Sequence, residues 1–198
     1  IKQSIQCKLF AVIPRLVFDK DIETVKNRLN EIGPDVVLLG NLGILNELTK
    51  YIVHLDYNSN VFNDMDVQYM SSKKILPIIS PELSINELMQ LKNKECAVLV
   101  HGKIRLMTLR HYIKEGIISD LKGNFIVKNI YNGSEIINDK ELGMLSKASL
   151  IVKSGLTKIY IDTDKNVPEI VKLYRSILDG NKVNDKHIKK DYVLGWAY

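Results

Sequence analysis

Ala97–Tyr112 reads "AVLVHGKIRLMTLRHY". It opens on four apolar residues in a row, then turns polar and sets His101, Lys103, Arg105, Arg110 and His111 within a short span. An unbroken apolar run rich in valine is the mark of a strand covered on both faces, as in a parallel sheet, rather than of a strand with one wet face. Working outward, similar runs recur: "CKLFAVIP" ending at Pro14, "DVVLLGN" from Asp35, "YIVHLDYN" from Tyr51, "ILPIIS" from Ile75 and "TKIYIDT" from Thr157.

Helical patterns fill most of the gaps. Asp19 or Asp21 can cap a helix with Ile22, Val25, Leu29 and Ile32 on one face, which Gly33-Pro34 stops. Ile44, Leu45 and Leu48 face inward on a short helix, and a less regular stretch runs through Met65 and Met70. Ser84 and Glu87 have capping-box spacing. Pro168 suits a first helical turn, ahead of Ile170, Val171, Tyr174, Ile177 and Leu178 on one stripe. Six βα units imply an α/β fold with a parallel sheet, either open and doubly wound or barrel-like. No glycine-rich phosphate fingerprint follows any run, which weakens the dinucleotide-binding form of the open sheet. The expectation is a TIM-barrel-like (β/α) domain over residues 1–180, incomplete at about six of eight strands. Lys122-Gly123-Asn124 and Asn132-Gly133 flank "FIVKNIY", which predicts a small antiparallel insertion over about 117–138, and a helix follows from Lys140 to Ser154. A polar tail, 181–198, ends in aromatics expected to pack on the domain.

The chain has 198 residues, is 45% hydrophobic and 26% charged, and carries a net charge of +5, an ordinary globular composition with a mild preference for anionic partners. Two cysteines, Cys7 and Cys96, are too few for a disulfide framework or a metal site and fit a reducing, cytoplasmic setting. No apolar stretch is long enough to span a bilayer, and no signal peptide opens the chain. The start at Ile1 fits a piece of a longer protein.

Each strand-like run ends in a chemically capable group: Arg15, Asn41, Asp56 with Asn58 and Asn60, Glu82, His101 and Asp162. Parallel strands put all their carboxyl ends on one side, where barrel enzymes build their sites. The candidates for acid–base work are therefore His101, Glu82 and Asp56. Arg15, Asn41, Asn58, Arg105, Arg110 and Asp162 are the ligand-binding candidates, the guanidinium being suited to carboxylate or phosphate. A strand end that simply meets solvent would show the same pattern, and His101 reads equally as a hydrogen-bonded structural histidine. Met107 reads as core. No serine elbow and no His-Glu-x-x-His motif is present, and Cys96 starts a strand, at the end opposite a barrel site. His54, Asp56, Glu82 and His101 include cation-donor types, but their spacing is equally that of a strand with one polar face; no metal site is expected.

"VVLLGNLGIL", "HLDYNSNVFN", "IISPELSINEL" and "AVLVHGKIRLMTLRHY", in that order, resemble the collagenase-like peptidases, family thirty-two of the U series, from about Lys8 to the end. The resemblance implies an eight-stranded barrel of which this chain supplies the last six strands, and a peptidase (hydrolase) label. Other members resemble RNA or ubiquinone hydroxylation factors that hold an iron–sulfur cluster through cysteines. Here Arg105 and Tyr112 stand at the matching places and "VKNIYNGSEIIND" has no cysteine, so no cluster is expected. Three functions follow: a degenerate or partial peptidase-like protein, an active hydrolase using the carboxylates and His101, or an accessory module for RNA modification or a partner subunit. A second copy or a partner subunit is expected over the exposed sheet edges. RNA is a weaker candidate partner, and a membrane is not one.

Overall fold

The computed structural model describes residues 6–121, 123–181 and 192. Six parallel strands, β1 (Phe10–Ile13), β2 (Val36–Leu39), β3 (Ile52–Leu55), β4 (Leu76–Ile79), β5 (Ala97–Gly102) and a late β11 (Lys158–Asp162), lie side by side in that order and curl into a half-barrel. Helices α1 (Ile22–Ile32), α2 (Asp64–Ser72), α3 (Ile85–Gln90), α4 (Ala148–Lys153) and α5 (Val167–Leu178) fill the connections, with a 3-10 segment at Leu42–Leu48. The incomplete parallel barrel expected from the apolar runs is the observed architecture.

Local chemistry explains the helix bounds. Gly33 stops α1 in the left-handed region at φ +59°, its N–H donating to the Leu29 carbonyl. At the start of α3 the Glu87 N–H donates to Ser84 Oγ while Glu87 Oε2 accepts from the Ser84 N–H at 2.8 Å. On α5 the inward stripe is Ile170, Tyr174 and Ile177, whereas Val171 faces solvent. The stretch through Met65 and Met70 is a regular helix, α2, capped by Asn63, whose Oδ1 accepts from the Asp66 N–H.

The buried core falls into two clusters, one under the first three strands and one around β4 and β5. Ile13, Val37, Leu39, Val53 and Leu55 pack outward with Leu29 of α1, and Val98 and Val100 belong to a second cluster with Ile151, Tyr174 and Ile177. Val37, Leu39, Leu55 and Val100 are fully buried; each such side chain contributes about 1.5–3 kcal/mol by leaving water. The inner face is less covered at its first edge, where Phe10, Val12 and Ile52 are exposed and the Phe10 and His54 rings meet edge to face at 5.4 Å. Among the described residues, β1 and β11 each have one neighbour, so both outer edges are unpaired.

Two segments differ from their sequence reading. The antiparallel insertion is larger than 117–138: β6 (Arg105–Leu109), β7 (Gly116–Asp120), β8 (Gly123–Ile130) and β9 (Gly133–Asn138) form a four-stranded sheet in the order β6-β9-β8-β7. The polar half of the opening stretch is thus a strand, not a loop or helix, and Met107, read as core, is 52% exposed on it. Gly102 makes the exit from β5 possible: its φ is +128° and a Cβ there would lie 2.0 Å from the Asp162 carbonyl oxygen. The helix expected at Lys140–Ser154 begins instead with a short strand, β10 (Leu142–Gly143), antiparallel to β5 at His101–Gly102, where β4 no longer pairs. The helix proper is confined to α4. Of the tail 181–198, only Asn181 and Tyr192 fall among the described residues.

Candidate functional site

At the end of β1, Arg15 reaches across to Asp56, which follows β3; its Nε and Nη2 donate to Asp56 Oδ2 at 3.0 and 2.9 Å. The guanidinium also lies 4.7 Å over the Tyr57 ring. Asp56 Oδ1 accepts from the Tyr57 N–H at 2.8 Å, and Asn58 Nδ2 donates to the Gly40 carbonyl at 2.8 Å. Asn41 caps the 3-10 segment, accepting from the Gly43 N–H and donating to the Val17 carbonyl. With the side chains of Arg15 and Asp56 only 7% and 9% exposed, these strand-end residues are consumed in holding one another.

The insertion folds back over these strand ends. Its Tyr131 hydroxyl donates to Asp21 Oδ1 at 2.8 Å, and Asn132 Nδ2 donates to Asp21 Oδ2 at 2.7 Å and to the Leu16 carbonyl at 3.2 Å. These bonds hold the buried Asp21 carboxyl below its ordinary range, the Tyr131 bond most of all, against the opposing effect of burial. Gly133 passes so close that a Cβ would sit 2.0 Å from the Leu109 carbonyl oxygen. Arg110 lines none of the pockets described; its guanidinium lies 4.9 Å over the Phe18 ring.

Arg105 ties the insertion to the far end of the half-barrel. Its backbone N–H donates to the Tyr57 hydroxyl at 2.9 Å, Nη1 pairs with Asp162 Oδ2, and Nε lies 3.3 Å from Glu135 Oε2. Burial opposes its charge, but Asp162 and the Tyr57 hydroxyl outweigh that and raise its pKa. In front of this pair opens a cleft of about 290 Å³, walled on one side by Arg105, Lys128 and Ile137 of the insertion and on the other by Lys103, Glu141, Asp162, Thr163 and Asp164. Such a volume lies at the lower end of small-ligand sites.

Of the sequence-derived candidates, Arg105 and Asp162 line this cleft, whereas Arg15, Asn41, Asp56, Asn58, Glu82 and Arg110 do not. Glu82 is exposed at the start of the turn into α3. His101 is 3% exposed, packed edge to face on Tyr174 and on Tyr192 of the tail, with ring centroids 6.0 and 4.9 Å away. Its Nε2 lies 4.0 Å from Glu141 Oε2, so it backs the cleft wall without entering it. The three acid–base candidates thus have different surroundings, and none of them lines the cleft. Cys96 is buried and its thiol is pushed up to about 11, chiefly by burial, which suppresses the thiolate. Among the described residues no group of three or more histidine, cysteine or acidic side chains is placed to hold a metal ion, and no helix is long and apolar enough to cross a membrane.

The cleft residues not singled out as site candidates from sequence are Lys103, Lys128, Ile137, Glu141, Thr163 and Asp164. Thr163 and Asp164 carried a signal, since they directly follow a strand-end carboxylate. Lys128 and Glu135 become neighbours only through the β8–β9 register that pairs them. No family model, curated protein or solved structure matches the chain.

Proposed function

We propose that the chain is a peptidase-like half-barrel of the collagenase-like family that holds a short peptide-like ligand at its strand ends without a nucleophile of its own. The cleft carries this reading: it is the one place among the pockets described where several charged side chains from both the half-barrel and the insertion converge. That none of Asp56, Glu82 and His101 lines the cleft favours binding over hydrolysis, because general acid–base work needs the groups within hydrogen-bond reach of the substrate. The unpaired edges of β1 and β11, with exposed Phe10 and Val12 beside the first, favour a second copy or a partner subunit covering them. Sedimentation showing only monomer at high concentration counts against self-association. The ligand reading is tested by titrating ¹⁵N-labelled protein with dialanine while assaying released alanine. Amide shifts should cluster at Arg105, Lys128 and Thr163 with no alanine released. Shifts elsewhere only, or steady release abolished by His101→Ala, would sink this proposal.

A further inference from the structure

We infer that the cleft reads both charged ends of its ligand, so that the preferred occupant is a zwitterion, a free amino acid or very short peptide with an unblocked ammonium and an unblocked carboxylate. This rests on the reading of the cleft as a ligand site. The argument starts from which charges are already spent. Arg105 is paired with Asp162, which removes one charge of each sign from the lining, and Glu135, its second acid, lies outside that lining. What is left along the walls is Lys103 and Lys128 on the positive side and Glu141 and Asp164 on the negative side. Among the described residues no ion pair joins either lysine to either acid; Glu141 has His101 Nε2 at 4.0 Å, the Thr163 hydroxyl at 3.4 Å and Tyr192 nearby, none of them a fixed cation.

Four charges of balanced sign therefore line one small space without neutralising each other. A simple anion meets the two lysines but is opposed by the two acids, and a simple cation meets the reverse; only a molecule carrying both signs gains at each wall. Lys128 stands on the insertion wall and Asp164 on the loop after β11, so the two ends of the ligand are read by different parts of the molecule. Arg105, held at three points, serves as a positioning residue that keeps these walls in register.

The experiment compares dialanine with N-acetyl-dialanine, dialanine amide and the doubly blocked N-acetyl-dialanine amide by ¹⁵N–¹H titration of the full chain. Each single block should weaken binding about fivefold, the size expected for one solvent-accessible ion pair. Lys128→Gln should erase the difference between free and amidated carboxyl termini, and Asp164→Asn the difference between free and acetylated amino termini. Both positions are exposed, and unchanged thermal unfolding of each variant keeps the comparison clean. Equal binding of all four compounds in the cleft overturns the zwitterion inference while leaving the ligand site standing, as does a penalty confined to the carboxyl block. No binding by any of the four overturns both.

Discussion

Two arginine–aspartate pairs tie together strands that are distant in sequence, and they have opposite surroundings. Arg15–Asp56 joins the ends of β1 and β3 with both side chains under a tenth exposed. Arg105–Asp162 joins the insertion to the end of β11 with side chains 31% and 25% exposed, and its guanidinium has a second acid, Glu135, at 3.3 Å. The same two residue types at the same level of a half-barrel thus make a sealed strut in one place and the floor of an open cleft in the other. What separates them is cover: the Tyr57 ring lies under Arg15, whereas water reaches the cleft beside Arg105.

The sharpest way to break the comparison is Asp56→Ala. It leaves a nearly buried guanidinium without its counter-charge and should cost about 3–5 kcal/mol, read as a lowered urea midpoint. Arg105→Ala should cost less, about 1–3 kcal/mol, because solvent already screens the remaining acids, with only Glu135 left in a buried setting. A larger loss for Arg105→Ala than for Asp56→Ala in the same unfolding series would reverse the assignment of strut and floor.

The smallest effect expected is the pH dependence contributed by Asp21. Its carboxyl, held below the ordinary value of 3.8 first by Tyr131, stabilises the fold fully above that value and loses the contribution as pH falls through its own lower one. Asp21→Asn should flatten that part of the acid limb in urea titrations. An unchanged slope would show that the bonds from Tyr131 and Asn132 add nothing to stability.

The parallel half-barrel was legible in the sequence because most of its strands are built on short apolar runs, a pattern local to a few residues. The meeting of Arg15 with Asp56 was legible as well, since parallel strands must bring their carboxyl ends together, whereas Arg105 reaches Asp162 from the antiparallel insertion. Other features were set by distant partners and left no local trace. The Tyr131–Asp21 bond spans 110 residues. Strand β6 exists because β9 pairs with it, and "IRLMTL" by itself has neither a clean alternation nor a helical face; Met107 consequently faces out. His101 looked chemical because it ends a strand, but Tyr174 and the tail's Tyr192 enclose it. No motif in the chain marks that enclosure, and only Gly143, where a Cβ would fall 2.4 Å from the Tyr192 ring, hints at it.

The insertion also changes how the half-barrel comes apart. A curled sheet with two unpaired edges should fray from either side independently, its outer strands opening long before its centre. Here one appended sheet grips Leu16 and Asp21 beyond the first strand, Tyr57 beyond the third and Asp162 at the last. The contacts form a loop with no loose end, so neither edge can open without straining the other. Amides of Val12 and Ile161, on opposite margins, should then exchange with a single shared opening free energy. Such closure joins segments up to 116 residues apart, a topology that slows folding while making unfolding all-or-none.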